Sequence, residues 1–153
     1  MAEGAGKLDE AYDLYARSLD MRQKLWTSDP RNVLAKGRVG FVKTRLALLE
    51  IKRNRPESAL VHAHEAVAIF QSLSDHTRDV ASQRDLGDAL VAKAEAESAV
   101  GRHAASCVNV SRALKVFDGL TSAMRDGTDE DETAIKMGAA CALRADALHA
   151  PLP

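Results

Sequence analysis

His62, His64 and Glu65 stand close together, and two imidazoles with a carboxylate are a common zinc donor set. On a helix, however, residues two apart point about 200° apart, so the two rings cannot share one ion. Cys107 and Cys141 are the only cysteines. They are too few and too far apart for a disulfide framework or a zinc site, and neither has a recognisable base beside it. Both lie on apolar-patterned segments, which predicts buried, reduced thiols in a cytoplasmic protein. Asp85 with Asp88 is a carboxylate pair of the kind used in acid–base chemistry, yet an exposed helical face accounts for it. Glu95 and Glu97 read as solvent-facing charge. Phosphate loops of the Gly-x4-Gly-Lys-Ser/Thr type, dinucleotide fingerprints and His-Glu-x2-His motifs do not occur. The expectation is a non-enzyme with no cofactor and no metal site.

These side chains are carried by six helical segments, read from periodicity and punctuation. The first runs over 8–26, with Leu8, Ala11, Tyr12, Tyr15, Leu19 and Trp26 on one side. Thr-Ser-Asp-Pro at 27–30 closes it, and Asp29 or Asn32 can cap the second helix, 32–53. Pro56 suits the first turn of the third, which runs to Leu73. Asp75 or Thr77 can cap the fourth, which Gly101 ends after Val100; the fifth runs to Met124. An acidic loop at 126–131 leads into the sixth, 132–148. Residues 1–7 and 149–153 read as flexible ends around a single domain, 8–148.

The whole chain agrees with this. Only 4% of the 153 residues are aromatic, while alanine and leucine abound, a composition suited to close-packed helices. A net charge of −1 gives no basic surface for nucleic acid. No apolar run reaches the roughly 18 residues of a membrane span, and the N-terminus lacks a signal-peptide core.

Shifted by 47 positions, Arg31 to Leu73 falls on Arg78 to Leu120 with ten identities. They include Gly40/Gly87, Ala47/Ala94, Glu50/Glu97, Val61/Val108, Ala66/Ala113 and Phe70/Phe117. Self-similarity at one fixed period marks a stacked architecture in which each unit buries its apolar face against its neighbours.

The residues around the repeated glycines are Lys36-x2-Val39-Gly40-x2-Lys43, Gln83-x2-Leu86-Gly87-x2-Leu90 and Ala134-x2-Met137-Gly138-x2-Cys141. With the small residues Ala59, Ala63 and Ala66, and Ser106 and Ala113 around Val110, they resemble the tetratricopeptide repeat, a helical hairpin with a Trp-x2-Leu-Gly-x2-Tyr first helix. The Trp and Tyr positions are not kept. The period exceeds the family's usual one of about 34 residues by about two turns per helix. Long repeats of this kind are similar to those beside kinase and nucleotidase modules in bacterial signalling proteins. The resemblance implies an all-α fold of six helices, antiparallel hairpins stacked as a tetratricopeptide-like α-solenoid. It also implies a protein or peptide partner on the concave face of the first-type helices. Carried onto this sequence, that groove is Leu34, Arg38, Phe41, Arg45, Arg84, Asp88 and Val91. Arg38, Arg45 and Arg84 would form a row for acidic side chains or a terminal carboxylate. The family's carboxylate site wants Asn after the glycine, where Phe41, Asp88 and Ala139 stand instead.

The chain opens on a second-type helix and closes on a first-type one. Its expected role is an adaptor or scaffold. The alternative is a self-associating assembly unit, a weak homodimer held through Tyr12, Tyr15 and Leu19 at one end or Ile135, Cys141 and Leu148 at the other.

Overall fold

The structure is a computed structural model that describes residues 2–77, 79–120 and 129–149. Six helices follow in order: α1 (Ala2–Ser28), α2 (Val33–Lys52), α3 (Pro56–Thr77), α4 (Val80–Ala99), α5 (His103–Asp118) and α6 (Asp129–His149). There is no strand among the described residues. Each helix packs on the next; α4 also touches α2 and α6.

The same local solutions recur 47 residues apart. Asn32 Oδ1 caps α2 by accepting from the Ala35 N–H at 2.9 Å, and Asp79 Oδ1 caps α4 from the Ser82 N–H at 2.9 Å. The α2–α3 turn passes through Asn54 at φ 60°, and the α4–α5 turn through Gly101 at φ 85°. Each is followed by a 2.8 Å bond back across the turn, Arg55 N–H to Glu50 C=O and Arg102 N–H to Glu97 C=O. A left-handed residue followed by such a backward bond is how a helix end satisfies its last carbonyls.

The packing recurs too. A Cβ on Gly40 would lie 2.9 Å from Phe70 Cζ, and one on Gly87 would lie 2.3 Å from Phe117 Cε1. Each ring therefore lies directly on the bare backbone of the preceding helix, at a distance any side chain would forbid. Ala59, Ala63 and Ala66 on α3, and Ser106, Val110 and Ala113 on α5, are buried along the same seams. Gly138 on α6 also meets its neighbour closely, with a Cβ there 3.0 Å from Leu114 Cδ1 of α5.

Several expectations require correction. α1 begins at Ala2 rather than at Leu8; Gly4 and Gly6 face open space and lower helix propensity without a clash. α4 is capped by Asp79, not by Asp75 or Thr77, because α3 continues to Thr77. α5 stops at Asp118, where Gly119 closes it with bonds from its N–H to carbonyls of the last turn. Asp129, Glu130 and Asp131 belong to the first turn of α6 instead of a loop, a place where carboxylates complement the helix dipole. The expected end of α5 at Met124 and the tail at 150–153 lie outside the described residues.

Glu97 is only 5% exposed rather than solvent-facing. Its carboxylate accepts a 2.8 Å bond from Asn109 Nδ2, while its counterpart Glu50 accepts from Ser58 Oγ and Arg53 Nη1 at 3.3 Å each. Most buried polar groups in folded proteins are partnered in this way. Arg53 also donates to Asp9 Oδ1 at 2.9 Å and lies 4.2 Å above the Tyr12 ring, fastening α1 to the end of α2.

The reduced thiols are the largest correction. Cys107 and Cys141 form a disulfide between α5 and α6, with Cα atoms 5.7 Å apart, and both residues are half-buried. A separation of 34 residues does not keep two cysteines apart when the helices carrying them pack side by side. The argument for a cytoplasmic protein drawn from free thiols goes with it. No described helix is long and apolar enough to cross a membrane.

Candidate functional site

α4 packs against both α2 and α6, and the spacing of residues on each helix decides what it presents beside that contact. Phe41, Arg45, Leu48 and Lys52 recur every three or four residues on α2, and Asp88, Val91 and Glu95 do so on α4. Glu130 and Thr133 arrive from the first turns of α6. Together they surround a cleft of about 430 Å³ lined by Leu48, Leu49, Ile51, Val91, Arg45, Lys52, Glu95, Glu130, Thr133 and Tyr15 of α1. A tight notch beside it is lined by Phe41, Thr44, Arg45, Phe70, Asp85, Asp88 and Glu130.

Arg45 sits at the junction. Its guanidinium carbon lies 5.2 Å above the Phe41 ring, and Nη1 donates to Glu130 Oε1 at 3.4 Å. This bridge runs from α2 to α6 over the middle of α4. Under it, Asp88 is half-buried, and its Oδ1 is buried with no hydrogen-bond partner among the described residues. Burial, followed by the charges of Glu130 and Asp85, pushes the Asp88 carboxyl up to about 7. Burial, then Asp79, also raises Asp85; burial, then Glu130, raises Glu95.

The expected groove residues divide accordingly. Phe41, Arg45, Asp88 and Val91 are brought together, although Val91 is 1% exposed and serves as floor rather than contact surface. Leu34 and Arg38 instead line a separate crevice of about 320 Å³ with Met21 and Leu25 of α1. Arg84 is half-buried and already engaged. The arginine row is thus not one continuous receptor for carboxylates. Asp85 and Asp88 are half-buried, not on an exposed face, because α6 covers that part of α4.

Glu95, Glu130, Thr133, Leu48 and Lys52 were not among the expected site residues. The helical spacing of Leu48 and Lys52 after Phe41 and Arg45, and of Glu95 after Asp88, would have found three of them. Nothing local marks Glu130 as reaching α2. His62 is half-buried and His64 exposed, on different sides of α3. Burial, then Lys43, holds His62 below its ordinary value against the opposing pull of Glu65 and Glu50. Among the described residues no three His, Cys, Asp or Glu side chains gather as metal ligands.

The raised Asp88 carboxyl has a measurable consequence. Its folded value lies above its unfolded one, so ionisation costs folding free energy from about pH 4 upward, and the cost is complete above about pH 7. Asp88→Asn is therefore expected to stabilise the chain by about 1–2 kcal/mol near pH 8, discounted for partial exposure, and by much less near pH 4. The quantity to follow is the difference in urea stability between parent and variant across that range. His62, which would favour higher pH, cancels in the difference. An equal gain at both ends would refute the assignment.

No protein-family model matches this chain, and neither a curated protein nor a solved structure matches it.

Proposed function

We propose that this chain is a non-catalytic protein-interaction module, a tetratricopeptide-like helical array that binds a partner along the side built from α2, α4 and α6. The observation that carries the reading is the cleft of about 430 Å³ between those three helices, with an apolar floor and charged walls. Proteins leave such concavities, lined by apolar residues with a few placed polar groups, where they bind something. The recurrence of caps, turns and glycine–phenylalanine contacts 47 residues apart supports the array. The role as part of a larger bacterial signalling or regulatory protein follows from the family resemblance.

Phe41 is the natural anchor, since it is an aromatic side chain 43% exposed at the edge of the notch. Phe41→Asp is expected to reduce partner capture at least about tenfold while leaving the helical circular dichroism unchanged. Val108→Asp, on α5 and 60% exposed, is expected to leave capture intact. Equal loss in both variants, or loss in Val108→Asp alone, would move the binding face elsewhere.

A further inference from the structure

The cleft, taken together with the notch beside it, is short of positive charge. It and the adjoining notch carry four carboxylates, Asp85, Asp88, Glu95 and Glu130, against two cations, Arg45 and Lys52. Arg45 is already committed to Glu130 and to the face of Phe41. Lys52 is exposed at the rim. Glu95 is half-buried, lines the cleft, and makes no hydrogen bond or ion pair among the described residues. Asp131 and Arg84 lie close to Asp88 and add one charge of each sign. The carboxylates are not gathered as a metal-ligand set. What the cleft offers between them is an apolar wall of Leu48, Leu49, Ile51 and Val91.

We propose that this cleft receives a lysine or arginine side chain from a basic, partly apolar segment of the partner protein. Its aliphatic stem would lie along Leu48, Leu49 and Ile51, and its charge between Glu95 and Glu130. A long cationic side chain is the one residue type whose stem and head match such a site, because its methylenes bury on apolar surface while its end stays charged. The charge also answers the burial and mutual repulsion that raise the carboxyls of Asp85, Asp88 and Glu95. Glu95, half-buried and offset only by Lys52 at the rim, gains most from such a cation, since a charge-assisted hydrogen bond there replaces weak hydration. The inference rests on the groove-binding reading above and reverses the acidic partner that an arginine row would have selected.

Random-peptide phage display on the full, immobilised chain tests it without a known partner. The selected sequences are expected to be rich in Lys and Arg interspersed with apolar residues. A synthetic copy of the leading peptide should bind about tenfold more weakly to Glu95→Gln than to the parent. It should lose affinity with added salt, more steeply for the parent than for the variant. Glu57→Gln, an exposed carboxylate on α3, should bind as the parent does. Parent-like affinity for Glu95→Gln overturns the proposal. So does selection of sequences rich in Asp and Glu; if those still lose binding to Phe41→Asp, the groove itself stands and only its chemistry is reversed. Peptides that bind Phe41→Asp as well as the parent, or no enrichment at all, overturn the groove reading and this inference together.

Discussion

Replacing Gly87 by leucine is expected to destabilise the chain by about 3 kcal/mol, the upper range for overpacking, and to lower Tm by roughly 10 °C. Leucine has the better helix propensity by nearly 1 kcal/mol, so a helix judged alone would gain. Packing decides the sign. Even a Cβ at this position would lie 2.3 Å from Phe117 Cε1 and 2.8 Å from Cζ. Phe117 is 5% exposed, so its ring cannot swing into solvent. Gly37 is the internal control. A Cβ there would meet only Leu73 Cδ1, at 3.6 Å, which is ordinary contact. Gly37→Ala should therefore raise Tm by a few degrees while Gly87→Leu lowers it. Thermal melts of the two variants check this, and a Gly87→Leu protein melting above the parent would contradict the seam between α4 and α5.

Removing the Cys107–Cys141 bond should have an effect of similar size. It closes a loop of 34 residues, for which chain entropy predicts about 3–4 kcal/mol of stabilisation. Among the described side chains of α6, Ala134 is the buried apolar one, whereas Ile135 and Leu143 are 64% and 70% exposed. A phosphine reductant, or Cys107→Ser with Cys141→Ser, is expected to lower Tm by roughly 10 °C and to expose α6 to protease. α1 to α5 should stay helical, because each packs along its length on its neighbours in sequence. Thiol titration of the unreduced, denatured chain should find no free sulfhydryl. Two free thiols and an unchanged melt on reduction would refute the staple.

The contrast between these two sites shows which parts of the molecule its sequence reveals. Gly40 and Gly87, Phe70 and Phe117 are legible because the same steric problem is solved twice at one spacing, and recurrence exposes it. Asn54 and Gly101 are a subtler instance, since different residues serve the same left-handed turn. The disulfide is solved once, between segments that only the packing of α5 on α6 brings together, and no spacing rule announces it. Glu97 misled for a related reason. A glutamate on a helix reads as solvent charge unless its partner is known, and Asn109 lies a helix away. The cleft was half legible: the family resemblance carried Phe41, Arg45, Asp88 and Val91 together, and these four line the cleft and its notch. Phase within α2 or α4 says nothing about α6, and it is Glu130 that takes Arg45 and leaves the carboxylates of cleft and notch in excess. The end residues Tyr12, Tyr15 and Leu19 were expected to be uncovered, but Tyr12 is beneath Arg53 and Leu19 packs on the core. The exposed row on α1 is Leu14, Met21 and Leu25 instead. Cys141 is in the disulfide and Ile135 is exposed, while the side chain of Leu148 lies outside the described residues.

That exposed row supplies the sharpest comparison for the proposed binding face. A photo-crosslinking residue placed at position 41 stands at the notch between α2, α4 and α6; one at position 14 stands on the row along α1, where Leu14 is 68% exposed. Irradiation of the two proteins with bound partner, followed by mass spectrometry of the products, reads the contact directly. A partner held in the groove gives a crosslink from position 41 and none from position 14. Crosslinks from position 14 alone, above all to a second copy of the chain, would contradict the groove and leave an assembly unit in its place.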